Sequence, residues 1–251
     1  VQRCASVGQT MIDSYTSVES YSVTRKTDGR QLSLVMSDEF EVDGRQFGKG
    51  KDKLFEAIEK PDNTNEAIQF YNSSSEYVTT GGGSLLIMTK AVKTNYVEWD
   101  SGAKQYQALT KNYTSGMIQS WNKFCFTGGI LEMSIELPGE VDSGGLWPAA
   151  WLMGNLARAT FEKSTMHVWP WSYNKCGAIQ YLDDKQEVNA CMNEPGFGLR
   201  QHQGRGAPEI DIFEVMPGHE MPGTGPVNAF MSSSLQVAPG ISKTQHRPVN
   251  G

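Results

Sequence analysis

The chain is poor in several things, and each shortage excludes a class of protein. No run approaches the roughly 20 consecutive apolar residues of a membrane-spanning helix, and the opening VQRCASVGQT has none of the layout of a secretory signal peptide. Position 1 is not Met, so these two absences are expected to say little about any longer parent protein. Basic residues are outnumbered, 22 Lys and Arg against 28 Asp and Glu, for a formal charge of −6. That balance excludes nucleic acid or an anionic membrane surface as the main partner. Only four cysteines occur, Cys4, Cys125, Cys176 and Cys191, with no CxxC among them, and the four histidines, His167, His202, His219 and His246, are scattered. No zinc framework follows from that set, and neither a metal nor a cofactor is expected. Helical periodicity is nearly absent. The one passable stretch is DKLFEAIEK (52–60), where Leu54, Phe55 and Ile58 fit one helical face.

What is present is short strands between turn signals. Glycine is frequent at 26 of 251 residues, and 10% of the chain is aromatic. QLSLVMSDEF (31–40) alternates and meets the turn VDGR, and GGGSLLIMTK (81–90) is a glycine turn followed by a strand. GGILEMSIELPG (128–139) is the clearest, with Leu131, Met133, Ile135 and Leu137 on one face and Glu132, Ser134 and Glu136 on the other. GLWPAAWLMG (145–154), EIDIFEVM (209–216) and AFMSSSLQVAPG (229–240) complete the series. Short strands with Gly and Pro turns predict an all-β sandwich or jelly roll. Between Asn155 and Pro208 the periodicity disappears, and a stretch that long is expected to be an ordered excursion near a functional site.

Four cysteines allow three pairings. The expected one is Cys176–Cys191, closing a loop worth on the order of 3 kcal/mol in the chain-entropy account; free buried thiols are the alternative. The sequons Asn72-Ser73-Ser74 and Asn112-Tyr113-Thr114 permit N-glycosylation. With the even cysteine count they point to the secretory pathway.

The chemistry concentrates in GRGAPEIDIFEVMPG (204–218), where Glu209, Asp211 and Glu214 stand at offsets of two and three on one strand. In a regular strand Glu209 and Asp211 share a face and Glu214 points away, so each face mixes acid with hydrophobe. One extra residue inserted as a β-bulge between Asp211 and Glu214 brings all three acids to one face and sends Ile210 and Ile212 to the core. Two carboxylates flanking a glycosidic bond suffice for glycoside hydrolysis, and a third beside them helps hold one proton in place. A solvated acidic strand face and a calcium site made by three carboxylates remain alternatives at this stage. GLWPAAWLMG adds aromatic surface: Trp147, Ala149 and Trp151 share a strand face, and sugar rings stack their C–H faces on indoles. Trp147, bounded by Gly145 and Pro148, is expected to face a cleft, Trp151 either the cleft or the core, and Trp121 is a further candidate.

EIDIFE resembles the E-[IL]-D-x-x-E signature of glycoside hydrolase family 16 in its bulged, laminarinase-like branch. More narrowly, SDEFEVDGRQF, SGMIQSWNKFCFTGG, LWPAAWLMGNL, GRGAPEIDIFE and SLQVAPG together resemble the fungal-type β-glucan-synthesis-associated proteins, over residues 31–251, with 1–30 as an N-terminal extension. The resemblance implies a jelly roll of two curved antiparallel sheets and a retaining mechanism, with Glu209 as nucleophile, Asp211 as its assisting acid and Glu214 as acid/base. It implies β-glucan as substrate or partner, whether polysaccharide or oligosaccharide, and a role in cell-wall β-1,6-glucan synthesis or remodelling, by hydrolysis or transglycosylation. It further implies a parent anchored in a membrane upstream of Val1, in the lumen of the secretory pathway or at the cell surface. Members of the family run on for several strands beyond their acids, so the domain is expected to be incomplete at its C-terminal end. A non-catalytic glucan-binding or assembly protein on the same fold is the other reading.

Overall fold

The structure, a computed structural model, describes residues 11–100, 103–140, 144–155, 159, 208–216, 219–221, 225–227 and 229–236. The chain is all-β, of the sandwich or jelly-roll class that the strand pattern predicts. Among the described residues the strands pair antiparallel with one exception, and the only helical turn is a 3₁₀ segment, Val18–Tyr21. It divides into two compact units, one of Val1–Asp62 and Glu66–Gly128, the other of Asn63–Asn65 and Gly129–Gly251.

The first unit is built of β1 (Ser22–Thr24), β2 (Gln31–Ser33), β3 (Glu56–Ala57), β4 (Lys60–Pro61), β5 (Gln69–Tyr71), β6 (Val78–Thr80), β7 (Leu85–Ile87), β8 (Thr94–Asp100), β9 (Gln105–Lys111), β10 (Tyr113–Ser115) and β11 (Ile118–Gln119). Its core gathers Phe47, Ala57, Tyr77 and Val78, with Phe55, Leu85 and Ile118 packed against them. Gly116 is required there: a Cβ at that position would lie 2.2 Å from Val78 Cγ2 and 2.7 Å from the Tyr77 carbonyl oxygen. Arg45 ties the loops over this core. Its Nη1 and Nη2 donate to Asp38 Oδ1 and Oδ2 at 2.6 and 2.8 Å, and Nη2 also donates to Asp52 Oδ2 at 2.6 Å.

Two expectations fail in this unit's neighbourhood. DKLFEAIEK is not a helix. Asp52 Oδ1 accepts from the Leu54 and Phe55 amides at 2.8 and 2.9 Å, folding the start into a turn. The Ala57 and Ile58 amides then donate to the Phe47 and Met117 carbonyls instead of to the previous turn. Tertiary pairing overrides a weak local preference. QLSLVMSDEF keeps only β2 as paired strand, with a lone bridge between Met11 and Met36 after it.

The second unit carries β12 (Ala149–Met153), β13 (Glu209–Met216), β14 (His219–Met221), β15 (Gly225–Val227) and β16 (Phe230–Gln236). β13 is the middle strand of an antiparallel sheet ordered β12-β13-β16, and β14 and β15 pair separately. GGILEMSIELPG, the most regular alternation in the sequence, forms no strand. Ile130, Leu131, Met133, Ile135 and Leu137 are all exposed. Alternation prepares a segment to lie on a half-buried sheet face, but a strand exists only where a partner accepts its hydrogen bonds, and among the described residues none pairs with it.

Candidate active site

The bulge demanded by the acid spacing is present. Against β16, Glu209 faces Gln236, Ile210 faces Leu235 and Asp211 faces Ser234; the register then slips, and Glu214 faces Ser232. Ile212 and Phe213 thus stand opposite Ser233 alone, whose hydroxyl donates to the Ile212 carbonyl at 2.7 Å. The β12 side shifts as well, pairing Trp151 with Asp211 and Ala150 with Phe213, which leaves Ile212 without an opposite. Two residues facing one is the β-bulge count, and it restores the side-chain parity lost in the i, i+2, i+5 spacing. Glu209, Asp211 and Glu214 therefore share one face. Glu209 and Glu214 are opposite positions four residues apart on β16, so their Cα atoms are about 13 Å apart before curvature and side-chain lean close the gap.

The burial is the reverse of the expectation for the isoleucines. The acid face is the sheltered one: Glu209 is 9% exposed and Asp211 3%. Ile210 is 43% exposed and Ile212 half-buried. The reason lies on β16, where polar partners satisfy the acids. Asp211 Oδ2 accepts from Ser234 Oγ at 2.6 Å and from Gln236 Nε2 at 3.0 Å. On the other face Ile210 meets Leu235, itself exposed, across the ladder. Sequence reasoning passed over Ser234 and Gln236. The signal was available in FMSSSLQ, whose every second residue past Phe230 is polar on the face the acids need.

Trp147 sits just before β12, and its Nε1 donates to Glu214 Oε1 at 3.2 Å while the indole stays 48% exposed. Trp151, half-buried, is the ladder partner of Asp211 and so belongs to the acid face. Two backbone bonds clamp this edge, Val215 N to the Pro148 carbonyl at 3.0 Å and Gly154 N to the Pro208 carbonyl at 2.8 Å. Trp121 belongs to the other unit, in a turn after β11.

Electrostatically the cluster holds on to protons. Burial, then the charge of Asp211 and a hydrogen bond with it, then the charge of Glu214, push Glu209 up to about 8. A bond between two carboxyls needs a proton, and the raised Glu209 carboxyl is the group that holds it. Burial and the Asp211 charge also raise Glu214, against the pull of the Trp147 N–H, which favours its ionised form. Among the described residues no three His, Cys, Asp or Glu side chains converge to hold a metal ion, and the acids are strung along a strand.

Of the remaining sequence-predicted positions, Asn112 is exposed at the bend between β9 and β10, whereas Asn72 is half-buried with its Oδ1 accepting from the Ser74 amide at 2.8 Å. Cys125 is disulfide-bonded. The Cys176–Cys191 pairing, and the excursion between Asn155 and Pro208 that carries it, lie outside the described residues.

Residues 1–246 match the family described as beta-glucan synthesis-associated protein SKN1/KRE6/Sbg1. The Saccharomyces cerevisiae beta-glucan synthesis-associated protein SKN1 is 37% identical over 249 residues, covering 94% of this chain and 29% of the relative. The Candida albicans KRE6 protein is 34% identical over 246 residues, covering 94% of this chain and 31% of the relative. The chain thus spans about a third of the length of these curated relatives. More distantly, the endo-1,3-1,4-beta-glycanase EglC of Rhizobium meliloti is 33% identical over 89 residues, 36% of this chain and 18% of that one. No solved structure matches.

Proposed function

The chain belongs to the SKN1/KRE6/Sbg1 family of β-glucan synthesis-associated proteins, and we propose that residues 31–251 are a glycoside hydrolase family 16-like domain acting on β-glucan by a retaining mechanism. The observation that carries this reading is the bulge at Ile212–Phe213, which lines up Glu209, Asp211 and Glu214 beside Trp147 and Trp151. The likeness to a bacterial glycanase supports it. In the reaction Glu209 attacks the anomeric carbon as Glu214 gives its proton to the departing glycosidic oxygen, leaving a glycosyl ester on Glu209. Glu214 then takes a proton from water or from a sugar hydroxyl, whose oxygen displaces Glu209 and restores the β-configuration. Water yields hydrolysis and a sugar yields transglycosylation. For Glu209 to attack it must be ionised, so its raised carboxyl gives up its proton before the attack. The raised Glu214 carboxyl suits a donor.

One observation favours a second reading. With its carboxyl pushed up to about 8, Glu209 is protonated at neutral pH in the free protein and is a hydrogen-bond donor at rest. A glucan-binding or assembly protein would use it that way. The disulfide at Cys125 supports an oxidising compartment, the secretory lumen or the cell surface. Among the described residues no helix is long and apolar enough to cross a membrane.

The test uses the full-length protein beside its Glu209→Gln variant with short β-1,3- and β-1,6-glucan oligosaccharides, followed by NMR. New products of retained β-configuration, absent in the variant, are expected. Binding of the oligosaccharides by both proteins without turnover in either would replace the enzyme with the binding reading.

A further inference from the structure

The β8–β9 hairpin presents a face that the acid site does not use. Its register runs unbroken from Thr94 opposite Lys111 to Asp100 opposite Gln105. The inner face is fastened to the first unit. Tyr96 packs on Phe70 with ring centroids 5.8 Å apart, Thr94 Oγ1 shares a hydrogen bond with Thr114 Oγ1 at 2.7 Å, and Lys111 Nζ donates to the Asp62 carbonyl at 2.6 Å. The outer face carries Asn95, Val97 and Trp99 opposite Thr110, Ala108 and Tyr106. There Trp99 and Tyr106 form an edge-to-face pair, centroids 5.1 Å apart at 70°, yet remain 47% and 71% exposed.

We infer that this outer face is a second β-glucan-binding platform, separate in function from the acid cluster, with Trp99 and Tyr106 stacking on the C–H faces of glucose units. The inference rests on the glucan reading of the family. A cross-strand aromatic pair also staples a hairpin, but here the inner face already anchors both strands, so the rings are not needed for attachment. Strand alternation puts Glu98, Asp100 and Lys111 on the inner side, so the outer strand positions hold no charged residue. A neutral face of two rings, with the Asn95–Thr110 amide and hydroxyl pair (2.7 Å) further along the strands, matches a neutral polyol. Nucleic acid or an anionic lipid headgroup would call for cations on the same face.

The test measures retention of the full-length protein on insoluble β-1,3-glucan and β-1,6-glucan particles. Every protein carries Glu209→Gln so that nothing is digested. Trp99→Ala and Tyr106→Ala are each expected to weaken retention about tenfold, the scale of losing an aromatic anchor. Asn95→Arg and Val97→Arg, which leave the ring pair in place and crowd the same face, should weaken it too. Loss with the alanine variants alone would make the rings a hairpin staple and overturn the platform. Unchanged retention in all four would do the same, as would failure of the parent protein to bind either particle. Concentration-dependent self-association abolished by Trp99→Ala would assign the face to a second copy of the chain instead. In the background with Glu209 intact, turnover of short soluble oligosaccharides should not respond to Trp99→Ala. Trp99-dependent retention without turnover would sink the enzyme reading and leave the platform standing; Glu209-dependent turnover with Trp99-independent retention would do the reverse.

Discussion

Glu209→Gln reports on the electrostatics of the site as well as on its chemistry. The substitution keeps shape and the ability to donate to Asp211, and removes the capacity to ionise. In the folded protein the Glu209 carboxyl is raised from 4.5 to about 8, chiefly by burial and then by Asp211. The native state therefore holds a proton that the unfolded chain releases between those two values. Stability falls as pH rises through that window and levels off above about 8, because the unfolded state binds fewer protons there. A rise of that size corresponds to at most about 5 kcal/mol; relaxation of the surroundings about the buried group brings the expected cost to about 2 kcal/mol. Near about pH 4 wild type and variant should unfold at the same urea concentration, since both carry a neutral side chain. At about pH 9 the variant should be the more stable by about 2 kcal/mol. Urea unfolding of the full chain at the two pH values measures the difference. A stability difference independent of pH, or a variant less stable at the higher pH, would refute a Glu209 carboxyl raised by burial.

Other perturbations have equally definite outcomes. Asp211→Asn removes the charge that adds to burial in raising Glu209, so the acidic limb of kcat/KM for oligosaccharide turnover should move to lower pH as the rate itself falls. A limb that stays in place would free Glu209 from Asp211. Gly116→Ala drives a methyl into Val78 and the Tyr77 carbonyl, and should cost about 1–3 kcal/mol by urea midpoint. Arg45→Lys keeps the charge but loses the fork that holds both Asp38 oxygens together with Asp52, and should cost about 1–2 kcal/mol in the same assay. A near-neutral result would mark the network as solvent-screened.

Much of the site was legible because it is local. The offsets of Glu209, Asp211 and Glu214 contradict period-two geometry unless one residue is inserted, and the contradiction alone located the bulge. The Gly-Leu-Trp-Pro context likewise singled out Trp147. The fold class followed from short alternating runs with Gly and Pro between them. Where expectations failed, the deciding partner was remote in sequence. Residues 52–60 fit a helix on spacing, and lost it to the carbonyls of Phe47 and Met117. Ile130 to Leu137 alternate as a strand does, but alternation supplies no hydrogen-bonding neighbour.

Sequence by itself determined which atoms can share a face, since side-chain parity along a strand is fixed by backbone geometry and an insertion shifts it by one. Only the tertiary structure decided which face is sheltered. Ser234 and Gln236, more than 20 residues away along the chain, supply the donors that let Asp211 lie buried, while Ile210, expected inside, faces Leu235 and Leu152 across its two ladders and stays exposed. Burial beside Asp211 then decides where the proton sits. Parity is covalent and local; shelter and proton affinity belong to whatever neighbours the fold delivers.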